Sequence, residues 1–188
     1  MELLNALNRY TPVNPQEARD RQQFLTLLQS GQELYTRANP VAHLTASSWV
    51  VSPDRKQVLL VYHNIYKSWS WMGGHADGDR DLCGVALRET GEESGLMDLR
   101  LLTPEIFSLE TLTVDGHIKR GAYVSSHLHL NVTYLLEADP SAQVHVKPDE
   151  NSGVRWFPVE EVANAVSEPW MQARIYNKLM DKVRSMGI

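Results

Sequence analysis

The chain has 188 residues, 43% of them apolar and 22% charged, with a formal net charge of -5, which suits one domain plus a small appendage and burial of about 70% of its surface. The acidic balance argues against a nucleic-acid partner, and a single cysteine, Cys83, excludes an internal disulfide and a cysteine-rich metal site. No stretch approaches the roughly 18 apolar residues that span a bilayer, and the N-terminus MELLNALNRYTP has no basic region followed by an apolar run, so a cytoplasmic protein with no membrane partner is expected.

Residues 1–42 read as a helical extension. Leu3, Leu4 and Leu7 make one apolar stripe. In NPQE, Asn14 is an N-cap, Pro15 the first helical residue and Glu17 the reciprocal partner of a capping box. Phe24, Leu25, Leu27 and Leu28 follow at helical spacing, and RANP ends the segment. From His43 the texture changes. LTASSWVV and KQVLLVYH read as strands joined by the turn SPDR, and SLETLTV (108–114) and HLHLNVTYLLEA (127–138) as two more. DGHIKRG between the latter pair reads as a mobile loop. VRWFP is a short strand and PVEEVANAV a short helix. In the tail, Ile175, Leu179 and Val183 recur every four residues, as in an amphipathic helix. Strands around one central helix, with helices at both ends, describe an α/β (α+β) sandwich, here assigned to residues 43–188.

That central helix is expected over 81–94. Asp79 or Asp81 caps its start, Leu82, Val85, Ala86 and Leu87 form its apolar side, and Gly95 suits a left-handed closing residue. Glu89, Glu92 and Glu93 then project from one face. Like charges at this spacing cost a few tenths of a kcal/mol per pair. They also sit at the negative end of the helix dipole, at about 0.3–1 kcal/mol each when exposed. Such a run ordinarily just faces water. Here it follows the Gly-rich loop WSWMGGHADGD, with Asp77 and Asp79 close in sequence. A hard divalent cation, Mg2+ or Mn2+, would relieve the repulsion in such an oxygen-rich setting.

The segment Gly74 to Leu96 resembles the Nudix box, G-x5-E-x7-R-E-U-x-E-E-x-G-U with U a bulky aliphatic residue. Gly74, Arg88, Glu89, Glu92, Glu93, Gly95 and Leu96 occupy matching positions. Two positions depart: Arg80 stands where the pattern has its first glutamate, and Thr90 replaces an aliphatic residue. Gly91 lies inside the helix at a cost of about 1 kcal/mol relative to alanine, with no reason visible in sequence.

The resemblance implies a Nudix-like α/β/α sandwich with a mixed central sheet, and hydrolysis of a nucleoside diphosphate linked to another moiety or a similar small-molecule diphosphate. It implies metal ligation by Glu89, Glu92 and Glu93, with the Gly74 carbonyl as a further ligand. Glu92, Glu93 and Glu150 are the candidate catalytic groups; the base that activates water is either a box glutamate or a loop acid, with Glu150 the loop candidate. Arg88 is expected to orient one carboxylate through a bidentate pair, and crowding should raise the pKa of one glutamate. His127 and His129 alternate on a strand and face one side; with His75 they are candidate phosphate contacts, and His63 joins them as a pocket residue. Trp69 and Trp71 either stack on a base or pack into the core. The N-terminal helices either cap a pocket or build a homodimer interface, a choice left open. Two alternatives remain: a non-catalytic binding module, and isopentenyl diphosphate isomerase, which needs a histidine-rich metal site and a catalytic cysteine that Cys83, inside the acidic helix, is poorly placed to supply.

Overall fold

Side-chain capping fixes where the first long helix begins. A computed structural model describes residues 2–119 and 121–187. The elements open with α1 (Glu2–Arg9), α2 (Pro15–Gln29), β1 (Ala42–Val51), β2 (Gln57–His63), β3 (Ser68–Ser70), β4 (Met72–His75) and α3 (Leu82–Ser94). There follow β5 (Arg100–Leu101), β6 (Ser108–Val114), β7 (His117–Lys119), β8 (Ala122–Val124), β9 (His127–Glu137) and β10 (Asn151–Pro158). The chain closes with a 3-10 turn (Val159–Glu161), α4 (Val162–Ala165), α5 (Pro169–Met171), a π-turn (Gln172–Tyr176) and α6 (Asn177–Ser185). Two compact units share these elements: Met1–Ala46, Gly74–Val85 and Thr103–Tyr134 form the first, and Ser47–Gly73, Ala86–Leu102 and Leu135–Ile188 the second.

In the first unit, the Glu17 N–H donates to Asn14 Oδ1 at 2.8 Å, so Asn14 is the N-cap of α2. The reciprocal half of the capping box does not form as expected. Glu17 accepts the Val13 N–H at 3.0 Å and the Ser108 hydroxyl at 2.9 Å. The cause is a buried polar network that competes for the carboxylate. Ser108 also lies 2.5 Å from Glu110, whose other oxygen accepts from Asn131 (3.0 Å) and Thr133 (2.9 Å). Buried carboxylates persist only when hydrogen-bonded in this way. Strands β6 and β9 pair antiparallel from Ser108↔Thr133 to Val114↔His127. The intervening segment, expected as a mobile loop, is the antiparallel hairpin β7–β8. Ile118, Tyr123 and Val124 favour strand, and this outweighs the turn-forming glycines that flank them; Arg120 lies outside the described residues.

In the second unit the strands run in the order β10-β2-β1-β9-β5, with β3 also on β2. Val50, Leu59, Val61, Met72, Leu96 and Leu136 make its core. The tail buries Ile175, Leu179 and Val183 as its spacing predicts, although Ile175 sits in the π-turn rather than an α-helix. Trp69 packs edge-on against Tyr62 (5.5 Å) and Phe157 (4.8 Å). Trp71 falls between β3 and β4 and packs on Tyr176 (5.6 Å), so the two tryptophans do not share a strand. No helix among the described residues is long and apolar enough to cross a membrane.

Glu137 clamps one edge of this unit. It accepts from Arg55 Nη1 at 2.5 Å and from Arg100 Nε at 2.7 Å. These hydrogen bonds hold its carboxyl below the usual glutamate range. Glu137→Gln should cost about 1–3 kcal/mol, the scale of a charge-assisted hydrogen bond. A depressed acid stabilises the fold above its unfolded pKa, and that stability disappears as pH falls through the folded value. The gap between wild type and variant, measured by urea unfolding, should therefore be full at neutral pH and close under acid.

Candidate active site

The acidic helix α3 is set by local chemistry at both ends. At its start the Gly84 N–H donates to Asp81 Oδ1 at 3.0 Å, so Asp81 is the cap, while Asp79 accepts the Asp81 N–H at 2.9 Å. At its end Gly95 adopts φ +77°, a conformation that favours glycine. At the interior Gly91 a Cβ would lie 3.3 Å from the Leu96 carbonyl, a tight contact. Thr90 is fully buried and donates to the Ala86 carbonyl at 2.7 Å, and Ser48 Oγ lies 2.5 Å from the same hydroxyl. The polar residue at an aliphatic position is thus matched by a polar neighbour. Arg80, at the other departing position, lies over the Tyr35 ring, 4.6 Å from its centroid.

Glu89, Glu93 and Glu150 come together, each offering an oxygen within 4.8 Å of the others. Glu93 is 4% exposed and accepts the Gly73 N–H at 3.0 Å. The Asn151 side chain donates to the Glu93 carbonyl at 2.9 Å, and the Asn151 and Glu150 amides both donate to the Lys147 carbonyl. This turn carries Glu150 to the helix. Glu92 points instead to Lys147, whose Nζ lies 3.0 Å from both Glu92 and Glu150. Arg88 Nη2 lies 3.5 Å from Glu89 Oε1.

Burial more than crowding sets the electrostatics of these acids, and it raises two of them. Burial, and then the Glu150 and Glu89 charges, push the Glu93 carboxyl up to about 8 against the pull of the Gly73 N–H. Burial and Glu92 raise Glu89 as well. For Lys147, burial acts downward, but Glu150 and Glu92 outweigh it and hold the ammonium above the usual lysine range. The Lys147 ammonium supplies part of the positive charge that this group of acids calls for.

The three histidines expected at a phosphate contact are gathered in the first unit. His75 and His127 Nε2 each lie 3.2 Å from His129 Nε2. His43, which sequence reasoning passed over, packs against all three with ring centroids at 4.8–5.2 Å. Burial drives His129 far below the ordinary imidazole range and lowers His43. His63 belongs to the second unit, where it accepts the Ile65 N–H at 3.2 Å and packs on Tyr66. Gly74 opens a segment of the first unit within β4.

A NUDIX domain family model matches residues 42–179. The chain belongs to the Nudix family. Its acidic helix is the Nudix box, and the protein is a Nudix-type hydrolase acting on phosphoanhydride bonds. No curated protein sequence is a significant match. Among solved structures, the chain is similar to a C. elegans Ap4A hydrolase binary complex, with 19% identity, TM-score 0.55, and coverage of 76% of this chain and 96% of that one. It is also similar to an E. coli dihydroneopterin triphosphate pyrophosphohydrolase, with 14% identity, TM-score 0.55, and coverage of 79% and 99%. The NUDIX domain of Shewanella oneidensis NrtR complexed with ADP ribose aligns over both whole chains at 16% identity and TM-score 0.53. These likenesses establish the Nudix fold, a mixed α and β architecture. Lys147 and Asn151, which bond to residues of the acidic helix, and His43, which packs on the other histidines, all lie outside the box, where no spacing rule marks them.

Proposed function

We propose that this protein is a magnesium- or manganese-dependent hydrolase of a nucleoside diphosphate linked to another moiety, or of a similar small organic diphosphate. The observation that carries the reading is the convergence of Glu89, Glu93 and Glu150 within 4.8 Å, one of them held protonated by burial near neutral pH. Hard oxygen donors in this number fit a small divalent cation. Glu89, Glu92, Glu93 and the Gly74 carbonyl are the proposed ligands, with Glu92 leaving Lys147 to join them. When bound, the cation supplies neutralisation of charge on the diphosphate oxygens. Glu150 takes the proton of the water that adds to phosphorus as the bond to the bridging oxygen breaks. The histidines His75, His127 and His129 are proposed to meet the phosphates. Residues 1–42 are proposed as an extension to the hydrolase domain, with pairing of two copies as one use for it.

Cys83 argues against the isomerase alternative. Burial, and then Asp81, raise its thiol pKa, which is the reverse of what a reactive cysteine needs. Dinucleoside polyphosphates, nucleoside diphosphate sugars including ADP ribose, a pterin triphosphate, oxidised nucleotides and coenzymes form the test panel. The expected result is magnesium-dependent release of phosphorylated product from at least one of them, abolished by chelator. Ligand binding with no turnover across the panel would favour a binding module.

A further inference from the structure

We infer that His43, His75 and His129 form a binding site for a transition-metal cation of the Zn2+ type, with His127 beside them as a fourth imidazole. The inference rests on these side chains alone, and a cation held there would take the place of direct phosphate contact by the same Nε2 atoms. His43 comes from β1, His75 from β4, and His127 and His129 from β9. His43, His75 and His129 each offer a ring nitrogen within 4.8 Å of the other two. The two closest separations, His75 to His129 and His127 to His129, are both 3.2 Å between Nε2 atoms. Zinc–nitrogen bonds place two ligands on a tetrahedron about 3.3 Å apart.

Hydrogen bonding within the group does not close on itself. Asn39 O lies 3.2 Å from His43 Nδ1, and Ser125 O lies 2.8 Å from His127 Nδ1. A carbonyl only accepts, so each Nδ1 carries the proton and each neutral ring presents its Nε2 lone pair. Backbone carbonyls behind the ring are the usual support of a metal-ligating histidine. His43 is 4% exposed, and among the described residues its Nε2 has no hydrogen-bond partner. His129 Nε2 faces two other Nε2 atoms and can donate or accept, not both. A cation accepts every lone pair at once. A ligand set of imidazoles with no carboxylate selects zinc-like metals over magnesium. Nearby, the Arg37 guanidinium is already paired with Asp77 at 2.6 and 2.8 Å, so its charge is offset.

The test uses the metal-free full chain carrying Glu93→Gln, which weakens the acidic site. Zn2+ is titrated against a chromophoric chelator, and Co2+ is followed by visible absorption. One Zn2+ per chain should bind tightly, Co2+ should give the intense bands of a tetrahedral site, and His129→Ala or His43→Ala should weaken Zn2+ at least about tenfold. Absence of tight Zn2+ binding before the histidine changes, or equal affinity after them, overturns the site. Should the alanine variants fail to fold, the half-exposed His75→Gln and the imidazole 15N shifts of the parent chain decide it. Zinc must move the shifts, and His75→Gln must weaken binding; unmoved shifts overturn the site.

Discussion

Glu93→Gln should lower kcat/KM by about 10²–10⁴, the range associated with losing a positioned proton-transfer or metal-binding carboxylate, while leaving the fold intact. The substitution is nearly isosteric. Its amide oxygen can still accept the Gly73 N–H, and the backbone carbonyl still receives Asn151. What disappears is a group beside Glu89 and Glu150 that can give up its proton to ligate a cation. Steady-state kinetics with magnesium, together with a thermal melt, separates the two effects. Wild-type turnover from a folded variant would remove Glu93 from the site.

The same residue sets an unusual pH dependence. Glu93 is raised from 4.5 to about 8 by burial first and neighbouring carboxylates second. In the unfolded chain it ionises near its ordinary value; in the folded, metal-free protein it keeps its proton. The unfolded state therefore binds fewer protons between these two pH values, and stability falls as pH rises through that window. Metal-free protein should lose on the order of 1–3 kcal/mol from pH 5 to pH 8 through this group. Glu93→Gln should abolish that slope and melt higher than wild type at pH 8. Divalent cation should flatten the wild-type slope too, because it binds the ionised form. A site that destabilises its own fold until loaded is the cost expected of function.

How much of this was legible in the chain depends on the range of the interaction. The box announces itself because Glu89, Glu92, Glu93 and Gly95 are ordered by one helix and its cap, and helical spacing is a local rule. The fate of Glu92 was not legible. Its partner Lys147 is 55 residues away, and nothing in the EESG text says that a distant lysine turns one of three glutamates outward. Glu17 shows the same limit. The capping box was a sound local prediction, but Ser108, 91 residues on, holds the carboxylate. His127 and His129 sharing a side followed from strand alternation, whereas His43 joins them only through the pairing of strands distant in sequence. Thr90 read as a flaw in the pattern because Ser48, which completes it, is 42 residues away.

Glu150→Gln, set beside Glu92→Gln, divides the roles of the remaining acids. The structure brings Glu150 into the carboxylate group and ties Glu92 to Lys147. If Glu150 is the group that takes the proton from water, its loss acts on the chemical step. kcat should fall by about 10²–10⁴ even at saturating magnesium. Glu92 has a different task in this reading, since it reaches the cation only by exchanging its Lys147 partner. Glu92→Gln should therefore raise the magnesium concentration needed for half-maximal rate, with part of the lost activity recovered as magnesium is increased. Both acids share Lys147, 3.0 Å from each, so the double variant should fall short of the sum of the two. A Glu150→Gln enzyme that keeps its rate at saturating magnesium would return the base role to Glu92 or Glu93, and leave Glu150 as the acid that positions Lys147.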